Sequence, residues 1–204
     1  MALLPSLPLP IVDGFDLDRR QREVLRPSEC VHDRAGRSRR LPRYFYEVAR
    51  WEEALKTQLT PHFGLWELID VDFREHPAAA SFPRYIPCAI ALLAAHLELF
   101  RLRVGTIVRV AANGGYRSPG HALSTVASPH MWGTAADIYR IGDELMDSRE
   151  RIEKYTRLAR DVLPGVWTRP YGEAPGHAFD HVHVDLGFVT VVPHDAPDAV
   201  EMDV

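Results

Sequence analysis

Two separate segments of this chain carry an unusual density of potential metal ligands. The first runs from Asn113 to Asp137 and contains His121, His130 and Asp137 among many small residues. The second is Asp180-His181-Val182-His183. Neither segment alone offers a full set of three ligands with an open fourth position, so a metal site requires a fold that brings the two together. We therefore interpret the rest of the chain as the scaffold and substrate wall of such a site.

The bulk composition is that of an ordinary globular protein. The chain has 204 residues, of which 46% are hydrophobic and 25% charged, and this predicts one domain with appendages. A formal net charge of -4 gives no overall attraction to nucleic acid, so we expect no nucleic-acid partner. Cys30 and Cys88 form neither a CxxC pair nor a disulfide framework, and we expect two free thiols that do not bind zinc.

The first 42 residues are rich in proline and arginine and are expected to wrap the domain or stay partly mobile. The start, MALLPSLPLPIVDG, lacks a basic residue and is broken by prolines, so it does not resemble a signal peptide. No later run is long enough to span a bilayer. These features predict a cytoplasmic protein or one released by a route other than Sec. The basic run His32–Arg40 can be a grip for an anionic polymer or a solvated loop, and its lack of aromatic residues favours the loop.

Helices are predicted before most of the strands. Apolar spacing and helix-end signals predict helices at Asp16–Leu25, Tyr44–Leu59, Pro87–Arg103 and Asp147–Leu163, with a short helical turn at His62–Leu68. Apolar, β-branched stretches predict strands at Thr106–Ala112, Ile138–Ile141, Val166–Arg169 and His181–Phe188. This order predicts an α+β fold, with a small, mostly antiparallel sheet and flanking helices.

The residue types in the two segments suit hydrolytic metal chemistry. A catalytic zinc needs about three protein ligands and an open position for water. His130 and Asp137 can supply two of them, because the small residues between them allow a tight turn. His181 and His183 point to the same face of a strand, so either can be the third ligand while the other contacts substrate. Asp180, at the start of that strand, can turn inward to accept a proton.

The order of these residues resembles the M15 family of zinc D-Ala-D-Ala carboxypeptidases and dipeptidases. Ser128-x-His130-x-x-Gly133-x-Ala135-x-Asp137 matches the SxHxxGxAxD signature of that family at every defined position. Tyr116-Arg117-Ser118-Pro119 is similar to its YRSP segment, and Asp180-x-x-His183 is similar to its (E/D)xxH element. The segment starting at His62 also looks like the beginning of one M15 branch. The resemblance covers 62–187 and implies a Hedgehog/DD-peptidase type of fold.

The resemblance implies a role for each residue that matches a motif. His130, Asp137 and His183 would bind one Zn²⁺ ion, and Asp180 would be the general base. This choice of His183 over His181 comes from the family and not from the spacing. The implied domain organisation is an N-terminal extension with one amphipathic helix at 1–61, a zinc peptidase domain at 62–188 and an acidic, frayed tail at 189–204.

The remaining implied roles concern the substrate. Arg117 would stabilise the oxyanion, although such an arginine can also be a simple ion-pair residue, and Tyr116, Ser128 and His181 would line the pocket. The chain departs from the family at Ala122, where relatives commonly have asparagine after the histidine of their SGYRSPxHN segment. This departure affects the shape of the pocket and therefore the substrate. Isolated histidines such as His121 are expected to be surface or capping residues.

The function expected from these features is that of a zinc-dependent peptidase. Its partner would be a peptide substrate that contains D-amino acids, of the peptidoglycan stem-peptide class. The chain contains no HExxH and no GxSxG, which argues against a helix-borne zincin site and against a serine nucleophile elbow. Two alternatives remain: a module that binds peptide or cell wall without hydrolysis, and an M15-like amide hydrolase that acts on a secondary metabolite or a phage lysis target.

Overall fold

The fold is α+β, as predicted, with small antiparallel sheets and six helices in the described part of the chain. The computed structural model describes residues 7–194 and residue 196. The helices are α1 (Arg19–Leu25), α2 (Trp51–Lys56), α3 (Leu65–Ile69), α4 (Pro77–Ala80), α5 (Ile90–Val104) and α6 (Arg149–Val162). The strands are β1 (Ile11–Asp13), β2 (Cys30–His32), β3 (Ser38–Arg40), β4 (Tyr44–Val48), β5 (Gln58–Thr60), β6 (Phe63–Gly64), β7 (Arg84–Pro87), β8 (Val108–Val110), β9 (Ala135–Ile141), β10 (Glu144–Leu145), β11 (Trp167–Thr168) and β12 (Val182–Asp185).

The largest sheet is built around β9. This strand pairs antiparallel with β8, β10 and β12, and β11 pairs with β12. The pairing of β9 with β12 sets Asp137 directly opposite His183. Because successive side chains on a strand point to opposite faces, this register places the two side chains on the same face of the sheet. The sheet therefore joins the two ligand-rich segments of the sequence.

Helices α5 and α6 confirm the two strongest helix predictions. Gly105 ends α5 in the left-handed conformation, and Ser148 caps α6 by accepting a hydrogen bond from the Arg151 N–H. The predicted start of α5 was too early, because Pro87 belongs to β7. The buried face of α5 and residues of β8, β9 and β12 share the main hydrophobic core. This packing supports the sheet from the side of the helices.

The predicted amphipathic helix Tyr44–Leu59 was wrong. The segment forms strand β4, the short helix α2 and strand β5. β4 is the central strand of a three-stranded sheet, with β1 on one edge and β7 on the other. Phe45 and Val48 are buried there. Pairing with distant strands, combined with aromatic and β-branched side chains, overrides the helical spacing.

The N-terminal segment is continuous with the rest of the fold. Sheet β1-β4-β7 joins residues on both sides of position 61, and the predicted boundary falls within the β5–β6 hairpin. Ala196 is buried in a cluster with Tyr44 and Cys88, so part of the predicted tail packs on the domain. The rest of the frayed-tail prediction, at 195 and 197–204, lies outside the described residues.

Cys30 and Cys88 are both free thiols. Among the described helices, none is long and apolar enough to cross a membrane.

The β2–β3 hairpin packs against the segment that carries His130. The Trp132 indole Nε1–H donates to Arg40 O at 3.0 Å, and the Ala127 N–H donates to His32 O at 3.0 Å. Leu41, just after β3, is buried in a cluster with Ala127, Met131 and Trp132. The basic run of the sequence thus forms a hairpin with a fixed position, and most of its residues are exposed to solvent.

We expect Leu41→Ala to destabilise the protein by about 2–5 kcal/mol, because it removes a fully buried side chain from the contact between hairpin and domain. The control is Leu102→Ala, at a position on α5 with 58% exposure, which should change stability by about 0.5 kcal/mol or less. The free energy of unfolding in urea measures both effects. A small loss of stability in Leu41→Ala would show that the hairpin does not unfold cooperatively with the rest of the domain.

Candidate metal centre

His130 lies in a 3₁₀ turn, Pro129–Trp132, that ends at Gly133 in the left-handed conformation. Its ring is fully buried, and Nδ1 donates to Gly115 O at 2.8 Å. Because a carbonyl oxygen can only accept, Nδ1 carries the hydrogen and Nε2 has a free lone pair. That buried Nε2 has no hydrogen-bond partner. Burial lowers the pKa of His130 to about 4, so the ring is neutral at neutral pH, as a metal ligand must be.

His183 meets Asp137 across the β9–β12 pair. Its Nδ1 lies 2.6 Å from Asp137 Oδ1, and its Nε2 lies 2.9 Å from Asp185 Oδ2. If Nε2–H donates to Asp185, the neutral ring presents its other lone pair to Asp137, which is itself an acceptor. Two acceptors at this distance need a cation between them or a proton on the ring. Asp185 was missed by sequence reasoning, although its position two residues after His183 on a strand places both on one face.

His181 presents a third imidazole to the same carboxylate. Its Nε2 lies 3.3 Å from Asp137 Oδ1, and its Nδ1 lies 2.7 Å from Asp180 Oδ1. The Nε2 atom is buried and lacks a partner with hydrogen-bond geometry. Burial opposes protonation of His181, but the carboxylates of Asp137 and Asp180 outweigh it and raise the pKa of this ring.

The side chains of His130, Asp137 and His183 form a cluster that can hold a metal ion. One ligand atom from each lies within 4.8 Å of the other two, and all three residues are buried. In a histidine that binds a metal, the N–H of the second ring nitrogen usually donates to a carbonyl or carboxylate. The contacts of His130 with Gly115 O and of His183 with Asp185 have this arrangement. The structure thus brings together the three residues that the motif predicted, and the group of side chains that can hold a metal ion contains His183 and not His181.

Glycines allow the backbone under the cluster to pack closely. A Cβ on Gly115 would lie 2.1 Å from Leu68 O, and one on Gly114 would lie 2.6 Å from Ala111 O. The carbonyl oxygen of Gly114 accepts the Asp137 N–H at 2.8 Å, while that of Gly115 holds the His130 ring. Glycine is therefore required at both positions because other backbone atoms approach so closely.

Arg117 lies beside the cluster and faces a cleft. Its guanidinium NH1 is 3.9 Å from Asp137 Oδ2, and burial lowers its pKa. The next residue is fixed by Glu75, whose buried carboxylate accepts from Ser118 N at 3.0 Å and from Ser118 Oγ at 2.6 Å. Glu75 was not predicted, since it stands in a polar loop with no motif around it.

Three predicted residues have positions that refine their roles. The side chain of Asp180 is 64% exposed and contacts the outer nitrogen of His181, so the His181 ring separates it from Asp137. Tyr116 is buried in the main core and does not line the cleft. Ser128 does line it. His121 lies outside the cluster and is buried, so it is not a surface residue, but its Nδ1 caps the backbone by accepting the Leu123 N–H at 3.0 Å.

The cleft has a volume of about 610 Å³ and reaches His183 and Arg117. Its other walls come from four regions: the loop Asp33–Arg37 between β2 and β3, the segment Leu123–Pro129, residues near β11 that include Trp167 and Arg169, and residues at the end of β12 that include Asp185 and Phe188. The sequence analysis placed neither the first nor the third region in the cleft. The sequence could not show that the hairpin loop lines the cleft, because this position depends on contacts between the hairpin and the distant segment around Trp132.

No protein-family model matches this chain, and no curated protein or solved structure matches it either. The likeness to M15 peptidases therefore rests on the motif residues and on the cluster that they form. It supports a proposal and does not establish membership of the family.

We expect the purified protein to bind one Zn²⁺ ion and His130→Ala to lose it. Even partners of metal ligands contribute about 10–100-fold to affinity, so loss of a ligand should weaken binding by more than that. Calorimetric titration with Zn²⁺ measures the change. His96→Ala is the control, because the His96 ring forms a hydrogen bond with Leu92 O on α5 and lies outside the cluster. Equal affinities in the two variants would contradict the assigned ligand set.

A separate expectation concerns Asp185. Asp185→Asn should weaken Zn²⁺ binding by about 10–100-fold, because it removes the negative charge that orients His183 and strengthens it as a ligand. Asp180→Asn, a matched change at a carboxylate on the far side of His181, should leave the affinity nearly unchanged. The same titration compares them, and a larger effect at Asp180 would reverse the assignment.

Proposed function

We propose that this protein is a zinc-dependent peptidase that hydrolyses amide bonds in peptides containing D-amino acids, with peptidoglycan stem peptides as the substrate class. One observation carries the metal assignment: three imidazole rings converge on the buried Asp137 carboxylate, and each has its outer nitrogen held by another acceptor. The Hedgehog/DD-peptidase type of fold belongs to the same proposal.

The donor set favours zinc. His130, Asp137 and His183 offer two nitrogens and one oxygen, which suits zinc and leaves an open position. When bound, zinc lowers the pKa of a water ligand to about 7 and polarises a carbonyl group. The cluster borders an open cleft through His183, so a peptide can approach it.

Arg117 supplies positive charge where the reaction develops negative charge. Its guanidinium group is nearly buried and lines the cleft, so little water screens it. The Glu75–Ser118 contacts hold the adjacent backbone in place. A positioned cation beside the carbonyl oxygen of the scissile bond stabilises the oxyanion more than the substrate.

His181 and Asp180 together provide the proton acceptor. Asp180 accepts a hydrogen bond from Nδ1 of His181, which leaves Nε2 directed toward the cluster. His181 is therefore the group that takes a proton from the attacking water and passes it to the leaving amine, and Asp180 holds its tautomer. This arrangement replaces the direct general-base role that the motif implies for Asp180.

The motif likeness supports the choice of substrate class. Ser128 to Asp137 matches the M15 signature, and the cluster joins this segment to His183. Ala122, in place of the usual asparagine, directly precedes Leu123, which lines the cleft, so the change from the family pattern lies next to the substrate wall.

The test is incubation of the Zn²⁺-loaded protein with a panel of D,D- and L,D-peptides, with detection of new amines. His181→Ala should reduce turnover by about 10²–10⁴-fold while Zn²⁺ remains bound, because it removes acid–base catalysis. Asp180→Asn should cause a smaller loss, because the ring remains in place. His96→Ala should retain full activity.

Three outcomes would change the proposal. Unaltered turnover in His181→Ala would contradict the role of this ring, and a larger loss in Asp180→Asn would restore the direct role of Asp180. Peptide binding without any new amine would indicate a binding module.

A further inference from the structure

The cleft beside the candidate metal site is lined by more cationic than anionic side chains. The residues that line the cleft include four arginines and two aspartates. Two of the arginines, Arg34 and Arg37, come from the β2–β3 hairpin loop, and Arg169 follows β11. The net charge of this surface depends on which of these groups are already paired within the protein.

Both aspartates are already paired within the protein. Asp33 accepts hydrogen bonds from the backbone N–H groups of Ala35 and Arg37, at 2.9 and 3.0 Å, and from the side chains of Arg37 and Arg39. Burial acts against its ionisation, but these bonds outweigh burial and lower the pKa of Asp33 to about 2. Asp185 is occupied by His183 and by the Gly187 N–H. Neither carboxylate is therefore available to neutralise the remaining cations.

Arg34 and Arg169 have no such partner. Within the described part of the chain, no carboxylate lies within 4.0 Å of either guanidinium group, whereas Arg37 is bound to Asp33. Arg34 is exposed and Arg169 is half-buried. Arg169 is also close enough to Arg117 for the two charges to affect each other. Unpaired like charges on one concave surface repel, and a bound anion relieves that repulsion.

The position of Arg34 is set by the fold. Asp33 organises the turn that carries it, and the hairpin is fixed to the His130 segment through Trp132 and Leu41. The Arg39 guanidinium also stacks on Phe188, at 4.5 Å from the ring centroid. Across the cleft Arg34 meets Gly176, where a Cβ would lie 3.3 Å from its NH1 atom. Gly176 has φ 91, and the absence of a side chain there lets the arginine reach the opposite loop.

Apolar side chains stand in the same cleft. Trp167, Leu123 and Val126 are 51%, 47% and 38% exposed, and all three line it. A ligand that fits both surfaces has a small apolar part and an anionic group, and an arginine fork suits a carboxylate or a phosphate.

We propose that Arg34 and Arg169 form an anion-binding subsite for a carboxylate or phosphate group of the ligand, so that the N-terminal hairpin is a specificity element of the cleft. The subsite rests on the proposed function only because both are assigned to the same cleft. Its ligand is a short, mainly apolar molecule with an anionic group, such as a peptide with a free carboxylate.

Binding by the full-length protein, without metal and with Zn²⁺, tests the subsite separately from turnover. The probes are an N-acetylated dialanine peptide with a free carboxylate, the same peptide as its C-terminal amide, and inorganic phosphate. Calorimetry measures the affinities, and the fluorescence of the half-exposed Trp167 gives a second readout. The acid should bind about 10–100-fold more tightly than the amide, as expected for charge-assisted hydrogen bonds.

Arg34→Gln and Arg169→Gln should each remove most of this preference without changing the binding of the amide. Arg157→Gln is the matched control, because Arg157 is exposed on α6 and does not line the cleft. Tight, Arg34-dependent binding of phosphate with weak binding of the acid would keep the subsite and assign it a phosphate-bearing ligand. Equal affinity for acid and amide, together with no Arg34-dependent phosphate binding, would overturn it, as would an equal loss in Arg157→Gln.

The result is separable from that of the peptidase proposal. If the Zn²⁺-loaded protein cleaves no peptide but still prefers the acid through Arg34, the peptidase proposal fails and the subsite stands. If peptides are cleaved and the preference for the acid is absent, the subsite fails and the peptidase proposal stands. Unfolding in urea checks that the glutamine variants are folded.

Discussion

The antiparallel pairing of β9 with β12 is the interaction on which the candidate site depends. It places Asp137 opposite His183, so that a ligand pair separated widely in sequence meets across one pair of strands. A register shift of one residue would turn one of the two side chains to the other face of the sheet. The buried residues of β9 and β12 belong to the main core, which gives the register a large energetic preference.

In the candidate metal site, a hydrogen-bond partner sets the orientation of each histidine ring. Gly115 O holds the ring of His130, Asp185 holds that of His183, and Asp180 holds that of His181. The remaining nitrogens converge on the buried Asp137 carboxylate, and any of them that carries no proton sets its lone pair against the carboxylate oxygens. This local conflict indicates a functional site, because a core selected only for stability would pair or remove these groups.

The N-terminal segment takes part in both the fold and the cleft. Through β1 and β4 it completes a sheet with β7, and through its β2–β3 hairpin it forms a wall of the cleft. The contacts of Trp132 connect that hairpin to the turn that carries His130. A change in the hairpin would therefore affect both the position of His130 and the wall of the cleft. The candidate metal site and one wall of the cleft thus lie on two parts of the chain that one small apolar cluster holds together.

By itself, the sequence predicted the two main helices and the α+β class, which depend on residue spacing and on short-range periodicity, and its resemblance to a known family pointed to the three residues that form the candidate metal cluster. It did not determine that Tyr44–Leu59 contains a strand, since that outcome depends on β1 and β7 as partners. The outward position of Asp180, the burial of Tyr116 and the place of Arg34 in the cleft were likewise decided by tertiary structure. The direction in which a side chain points is set by packing and hydrogen bonding with residues far away in the chain, and local patterns contain no information about those contacts.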